Sequence, residues 1–129
     1  MKTLYPASKL YHATFLRNVA DMSLQFIWNA RWLRHEALAT AETEDNARGF
    51  WRENRDDIRA SDGVVLFCNT ADTLSGALIE VGMALACQRP VYIVGQNHAI
   101  TSWQFIPSVR RFPTFAELET YLASLTPDY

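Results

Sequence analysis

The segment 73–88 constrains the fold most, because it contains one charged residue, Glu80, among apolar and small residues. A helix that is apolar on nearly every side is a buried helix. A carboxylate inside such a helix lowers stability unless it is paired or kept for chemistry. The flanking segments 63–68 and 90–95 are strand-like apolar runs. This pattern predicts a crossover helix between two parallel strands, with Glu80 near their carboxyl ends, where open α/β sheets bind ligands.

The rest of the chain alternates between strand-like and helix-like segments. Strands are predicted at 3–7, 24–28, 63–68, 91–94 and 109–112, and helices at 10–21, 50–61, after Ser75 and at 115–125. A strand end or bulge is expected at Pro6, which donates no ladder hydrogen bond. Segment 34–47 is acidic and aperiodic and is interpreted as a flexible cover, whereas 96–107 is predicted as a loop.

This alternation predicts a single α/β domain over residues 1–129. We expect a Rossmann-like or flavodoxin-like doubly wound fold with about five mainly parallel strands. The net charge of −2 gives no basic surface for nucleic acid or an anionic membrane. No apolar run reaches the roughly 18 residues of a membrane span, and polar residues near the N-terminus argue against a signal peptide.

The two cysteines, Cys68 and Cys87, fall inside a predicted strand and a predicted helix. Buried free thiols fit these positions better than a disulfide, so a reducing, cytoplasmic location is expected. Zinc-type spacing is missing, and His12, His35 and His98 follow no metal or triad pattern. We therefore expect neither a metal nor a cofactor.

Glu80 is the first candidate for chemistry. It is a nucleophile or acid–base group in a dry cleft, or a buried carboxylate satisfied by a neighbouring Tyr, Arg or backbone group. Gly76, Ala77 and Ala84 lie three to four residues away, so its side of the helix is thinly covered, which favours function. Tyr5 in the first predicted strand can donate its hydroxyl to such a carboxylate, although strands also use tyrosine for ordinary packing.

Three residues near the ends of the first two strands are candidates for ligand binding. Ser8 and Lys9 follow the first strand and can meet an anion at a helix N-terminus. The glycine-rich loop of a Rossmann or P-loop phosphate site is missing. Trp28 ends the second strand, where an indole stacks on a nucleobase or contributes to a subunit contact.

Polar residues on and after the next two elements complete the candidate set. Asn54 lies on the inner face of the predicted helix 50–61, and Asp57 follows about one turn later. An inner-face asparagine bridges backbone groups or hydrogen-bonds a base edge. Asn69 directly follows the strand 63–68, where it either reaches a ligand or shapes the turn.

Several segments resemble the nucleoside 2-deoxyribosyltransferase-like superfamily, which includes deoxynucleoside 5′-monophosphate N-glycosidases. The likeness is dense in 61–67, Ser-Asp-Gly-Val-Val-Leu-Phe, in 75–86, Ser-Gly-Ala-Leu-Ile-Glu-Val-Gly-Met-Ala-Leu-Ala, and in 89–95, Arg-Pro-Val-Tyr-Ile-Val-Gly. Leu4-Tyr5 is similar to the family start, and Ser102-Trp103 to a segment that reaches a neighbouring subunit's site. The resemblance extends over most of the chain.

The resemblance implies a set of roles. Glu80 is the nucleophile that attacks the anomeric carbon, and Tyr5 orients it. Two positions depart from the family. The position of the family's acid holds Asn54, so that a proton for the leaving base has to come from Asp57, the neighbouring Asp56 or water.

The second departure concerns the sugar-binding position. Six residues before Glu80 the chain has Leu74, so Ser75, beside Gly76, can bind the sugar hydroxyl only with the loop shifted by one residue. The resemblance also makes Trp103 a residue that walls a neighbouring subunit's cleft.

The favoured interpretation is cleavage or transfer of the N-glycosidic bond of a nucleoside or nucleotide by Glu80. The alternative is a catalytically silent module that binds a nucleotide or ADP-ribose-like ligand, and Asn54 favours this one. A purely structural oligomer is a third hypothesis. The apolar residues Trp103, Phe105 and Ile106 in a predicted loop indicate a homodimer or larger assembly.

Overall fold

The computed structural model describes residues 2–8, 16, 25–34 and 43–125. The strands are β1 Lys2–Ala7, β2 Phe26–Trp28, β3 Gly63–Cys68, β4 Val91–Gly95 and β5 Val109–Phe112. The α-helices are α1 Glu44–Ala60, α2 Gly76–Ala86 and α3 Phe115–Ser124. Two 3₁₀ turns span Arg31–Arg34 and Ser102–Phe105. The predicted helix 10–21 lies outside the described residues except for Leu16, which is buried.

The five strands form one sheet in the order β2-β1-β3-β4-β5, and every neighbouring pair is parallel. This confirms the predicted doubly wound α/β fold. The chain passes from β1 to β2 on one side and later to β3 on the other, so the strand order reverses between β1 and β3. Such a reversal opens a crevice at the carboxyl ends of the two strands.

The helices cover both faces of the sheet. Phe67 on β3 stacks on Phe115 of α3, with ring centroids 5.6 Å apart. Tyr5 pairs with Val64, which lies three residues from Phe67 and therefore points to the opposite face. On that face α1 and α2 pack against each other and against β1.

The expected strand end or bulge at Pro6 is wrong, since β1 continues in unbroken register with β3 through Pro6 to Ala7, the predicted last residue of this strand. β2 pairs with β1 only as far as Leu4. Beyond it, the Pro6 carbonyl accepts a hydrogen bond of 3.0 Å from the Trp32 indole. The Pro6 nitrogen, which carries no hydrogen, therefore faces the side on which the β1–β2 ladder has already ended. The sheet loses no hydrogen bond there.

The predicted start of the second helix at residue 50 is also wrong, because α1 begins at Glu44. The Thr43 side chain caps the helix by accepting a hydrogen bond of 3.2 Å from the Asn46 N–H. The negative charges of Glu44 and Asp45 in the first turn interact favourably with the helix dipole, and Arg48 forms ion pairs with both. The acidic composition that suggested a flexible cover thus belongs, over 44–47, to a capped helix start. The remainder of that predicted cover, 35–42, lies outside the described residues.

Among the described residues, no helix is long and apolar enough to span a membrane. The same part of the chain contains no cluster of His, Cys, Asp and Glu side chains able to hold a metal ion.

Candidate active site

Tyr5 and Glu80 meet at the centre of the fold. Tyr5 is completely buried and Glu80 is 6% exposed. The Tyr5 hydroxyl donates a hydrogen bond to Oε2 of Glu80. The predicted burial of Glu80 and its hydrogen bond to Tyr5 are therefore confirmed, although the roles of both residues in chemistry stay predictions.

The low dielectric around this pair changes its protonation. Burial raises the pKa of Glu80 to about 8, and the hydrogen bond from Tyr5 only partly opposes this effect. Burial also raises the pKa of Tyr5, and the nearby Glu80 carboxylate adds to the shift. In the free protein at neutral pH, Glu80 therefore mostly carries its proton.

Small residues let α2 approach the sheet and α1 closely. A Cβ atom on Gly76 would lie 3.4 Å from the ring of Trp51 on α1. The buried residues on the inner side of α2 are Ala77, Glu80, Val81 and Ala84. A bulkier inner face would push α2 away from α1 and the sheet, and Glu80 with it.

α1 places a polar side chain toward the same region. Asn54 is 1% exposed, and neither Nδ2 nor Oδ1 has a hydrogen-bond partner among the described residues. It lies between Trp51, which contacts α2, and Asp57, whose charge contributes to the raised pKa of Tyr5. Asn54 is on the buried side of α1, and α1 packs on both α2 and β1, the two elements that carry Glu80 and Tyr5.

Asp57 is held by Arg31, which follows β2. The backbone N–H of Arg31 donates to Oδ2 at 2.9 Å, and its guanidinium contacts Oδ1 through Nε at 3.1 Å and Nη2 at 3.0 Å. The Asn29 side chain adds a hydrogen bond of 3.1 Å to the Asp57 carbonyl. These contacts fix α1 to the end of β2. The proton-donating role of Asp57 stays a prediction.

The loop between β3 and α2 is held by two asparagines. The Asn69 side chain accepts hydrogen bonds of 2.9 Å from the N–H groups of Ala71 and Asp72, so it shapes the turn. Asn97, just after β4, donates to the carbonyls of Asn69 at 2.8 Å and Asp72 at 2.7 Å. The sequence interpretation missed Asn97, and the only signal for it was an asparagine two residues after a buried strand.

Asn69 also lines a cavity between the ends of β3 and β4 and the start of α3. The cavity volume is about 270 Å³. Its other walls are mostly apolar: Phe67, Cys68, Val94, Gly95, Pro113, Thr114 and Phe115.

Of the other predicted binding residues, Ser8 lies at the exit of β1, and Ser75 and Gly76 lie at the start of α2. Ser8 follows β1, and its buried hydroxyl has no partner among the described residues. Ser75 and Gly76 lie at the N-terminus of α2, one turn before Glu80, and the Ser75 hydroxyl does not cap the helix. Lys9 lies outside the described residues.

Trp28 lies on the other face of the sheet. Its ring contacts Phe26, with centroids 4.6 Å apart, and its indole N–H donates to the Leu16 carbonyl at 2.7 Å. Trp28 pairs with Leu4, the neighbour of Tyr5, and therefore points away from Glu80. The structure does not bring Trp28 to the Tyr5–Glu80 pair.

Trp103 is half-buried against its own core in the second 3₁₀ turn. Its indole N–H donates a hydrogen bond of 3.0 Å to the Ala99 carbonyl. The exposed apolar side chains of this segment are instead Phe105, at 79% exposure, and Ile106, at 39%.

Comparisons with known proteins identify the family of this chain. Two solved structures share the fold: a 2-deoxyribosyltransferase from Bacillus psychrosaccharolyticus and the CMP N-glycosidase BcmB from Clostridium botulinum. The first has a TM-score of 0.72 and 15% identity, over 92% of this chain and 91% of that one. The second has a TM-score of 0.59 and 14% identity, over 95% and 98%.

Among curated proteins, none matches the sequence significantly. Residues 4–106 match the family model described as nucleoside 2-deoxyribosyltransferase. Since this match spans well over half of the 129 residues, the chain belongs to the nucleoside 2-deoxyribosyltransferase family.

Proposed function

We propose that this protein cleaves or transfers the N-glycosidic bond of a nucleoside or nucleotide, with Glu80 as the nucleophile. The observation that carries the proposal is a buried carboxyl group, Glu80, hydrogen-bonded to Tyr5 on β1, one of the two strands between which the strand order reverses. Family membership and the activities named for the two structural relatives support the same class of reaction.

In the proposed reaction Glu80 acts in its ionised form. Tyr5 holds Oε2, so Oε1 attacks the anomeric carbon while the bond to the base nitrogen breaks and its electron pair stays on the base. The product of this step is a glycosyl ester of Glu80. Water or a second base then attacks the same carbon, and the Tyr5 hydroxyl stabilises the returning carboxylate.

The proposed substrate contacts come from three elements. Asn54 on α1 meets the base, whereas Ser75 and Gly76 at the start of α2 meet the sugar. Ser8, directly after β1, has an unpartnered buried hydroxyl among the described residues and is the third proposed contact, and Lys9 follows it in sequence. A base that leaves as an anion takes a proton from water or from Asp57.

The test is incubation with 2′-deoxynucleosides and their 5′-monophosphates, with and without a second free base, and chromatographic separation of the products. We expect free base in every case and exchanged nucleoside if transfer occurs. Glu80→Gln keeps the shape but is a poor nucleophile, so it should give no product while its circular dichroism stays native. Turnover by Glu80→Gln would exclude a glycosyl-enzyme intermediate.

A second candidate function is a module that binds a nucleotide or ADP-ribose-like ligand without turnover. The neutral Asn54 amide favours it, because an amide binds hydroxyl and carbonyl groups but delivers no proton. In this case Glu80 holds a ribose hydroxyl. Titration calorimetry that shows saturable binding, together with unchanged ligand after long incubation, would favour the module over the enzyme.

A further inference from the structure

The Asn54 amide is a buried group with unused hydrogen-bonding capacity on α1, the helix that packs on the elements carrying Glu80 and Tyr5. Both polar atoms are shielded from solvent and lack a partner among the described residues. An unsatisfied buried polar group destabilises the folded protein, and a ligand that bonds both atoms removes this penalty. The amide therefore points to a ligand with a matching donor and acceptor.

Only certain bases match such an amide. Asparagine presents one carbonyl acceptor and one NH₂ donor group in a single plane, and both are neutral at every physiological pH. A primary carboxamide on an aromatic ring pairs with it through two hydrogen bonds. The amide edges of uracil, hypoxanthine and similar bases have the same donor and acceptor, so hydrogen bonding alone does not choose between them.

The charge of the base before and after it leaves the sugar distinguishes between these candidates. A neutral nucleoside loses its base as an anion, which has to be protonated, and an amide side chain supplies no proton. The nearest carboxylate on the same face of α1, Asp57, is held by Arg31. A pyridinium base carries a positive charge while attached to the sugar and leaves as a neutral molecule, so that its departure consumes no proton.

We propose that the base site formed by Asn54 takes a pyridinium carboxamide, so that the preferred substrate is an N-glycosyl pyridinium such as a nicotinamide nucleoside, nucleotide or dinucleotide. The inference rests on the proposed nucleophilic role of Glu80 and names the substrate class of that site.

The reaction balances without any co-reactant except water. Glu80 Oε1 forms a bond to the anomeric carbon as the carbon–nitrogen bond breaks, and that electron pair neutralises the pyridinium ring. Water then attacks the anomeric carbon, the ester bond to Glu80 breaks, and one proton passes to solvent. The products are neutral nicotinamide, one proton and the released sugar, which is free, phosphorylated or, from a dinucleotide, still attached through its diphosphate to the other nucleoside.

The buried carboxyl group fits a cationic substrate for a second reason. Glu80 is mostly protonated in the free protein because burial disfavours its charge. A pyridinium ring within a few ångströms favours the ionised form of a neighbouring carboxyl group. The substrate itself therefore promotes the ionisation that the nucleophile needs.

The experiment compares kcat/KM for nicotinamide riboside with kcat/KM for uridine and inosine, which carry the same sugar. The same comparison is made with the 2′-deoxyribosyl compounds. We expect the pyridinium substrate to be favoured by about 100-fold or more, the low end of the contribution of general acid catalysis. Nicotinic acid riboside, which has a carboxylate in place of the carboxamide, should be about 10–100-fold poorer, because the amide match is lost.

Two variants sharpen the test. Asn54→Asp should lower the pyridinium preference, since a carboxyl group can protonate a neutral base and no longer matches the carboxamide. Asn54→Ala should lose the discrimination between the amide and acid ribosides without gaining activity on neutral nucleosides. Circular dichroism and urea unfolding confirm that both variants fold.

The outcomes separate this inference from the proposed function. Glu80-dependent cleavage of neutral nucleosides at a rate equal to or above that of nicotinamide riboside overturns the substrate class and leaves the proposed function intact. If neither class is cleaved, both proposals fail. Equal rates on the amide and acid ribosides would remove Asn54 from the base site.

Discussion

The Tyr5 hydroxyl donates a hydrogen bond to Glu80, 75 residues further along the chain, and both side chains are buried. The strand pairing that aligns β1 with β3 and the small inner face of α2 together bring the two groups into contact. A phenol that donates to a carboxylate stabilises the ionised form, whereas burial acts in the opposite direction. The ionisation of Glu80 that the proposed reaction requires depends on the balance between these two effects.

The first prediction concerns the pH dependence of turnover. In the proposed reaction Glu80 has to lose its proton before it attacks, so kcat/KM should rise with pH through a limb near the raised pKa of about 8. Tyr5→Phe removes a hydrogen bond that lowers this pKa, so the limb should move to higher pH. A hydrogen bond to a charged group is worth about 1.5–3 kcal/mol, which corresponds to roughly 1–2 pH units.

The matched control is Tyr92→Phe. Tyr92 is buried on the opposite face of the sheet, 6.1 Å from the Tyr121 ring between centroids. Its loss should leave the position of the limb unchanged. A Tyr5→Phe profile that stays in place, or moves to lower pH, would contradict the assignment.

The second prediction concerns stability. Folding raises the pKa of Glu80 from 4.5 to about 8, so the folded state holds a proton that the unfolded chain has released between these values. The free energy of unfolding should therefore fall as pH rises from about 5 to 8 and then level off. Glu80→Gln removes this contribution, so its stability relative to wild type should increase by about 3 kcal/mol between pH 5 and 8.

Urea unfolding at both pH values measures the difference. Glu117→Gln, an exposed substitution on α3, serves as the control and should follow the wild-type pH course. If Glu80→Gln and wild type differ by the same amount at pH 5 and pH 8, then Glu80 does not hold a proton in the folded state.

The fold was largely predictable because its signals are local. The bounds of β3 and β5 match those predicted from apolar runs, and the parallel sheet follows from the alternation of strands and helices. The error at the start of α1 arose because the charges of Glu44, Asp45 and Arg48 stabilise a helix end without any apolar period.

The site was predictable only in part. The lone charge of Glu80 in an apolar helix and the tyrosine of β1, together with the family resemblance, predicted that these two residues meet. The contact of Asp57 with Arg31 and the role of Asn97 depend on tertiary distances between loops, which no sequence period records. Trp28 appeared suitable for a site because it ends a strand, but strand alternation turns it to the other face.

The third prediction separates the possible roles of Asp57. If Asp57 only fixes α1 to Arg31, Asp57→Asn should lower the free energy of unfolding by about 1–3 kcal/mol and reduce kcat/KM equally for all leaving bases. If Asp57 is the proton donor, the loss should be about 100-fold or more for bases that leave as anions and small for pyridinium substrates.

The measurements are urea unfolding and turnover with nicotinamide riboside and uridine. Asp56→Asn is the matched control, because Asp56 is exposed beside Asp57 and pairs only with Arg55 among the described residues.

The fourth prediction concerns Asn97 as a positioning residue. Its side chain joins the loop after β4 to the carbonyls of Asn69 and Asp72, in the loop that leads into α2. Asn97→Ala should destabilise the fold by about 2–3 kcal/mol, because buried carbonyl groups lose their donors. We also expect KM to rise more than kcat falls, since the loop precedes the end of α2 that we propose binds the sugar.

Gln96→Ala, at the exposed neighbouring position, should change neither quantity. A kcat loss with unchanged KM would place Asn97 in the chemical step instead.

The last prediction concerns assembly. Phe105 is 79% exposed and adjoins the exposed Ile106, and exposed apolar clusters of this kind commonly mark a partner surface. We expect a homodimer or larger closed assembly in sedimentation experiments at tens of micromolar, and Phe105→Ser should shift it to monomer.

Trp103→Ala should also lower the stability of the subunit, because the half-buried Trp103 indole packs on its own core and donates a hydrogen bond to the Ala99 carbonyl. Ile27→Ser, at another apolar position that is 51% exposed, is the control and should leave the assembly intact. A wild-type protein that sediments as a monomer would show that this surface serves another purpose.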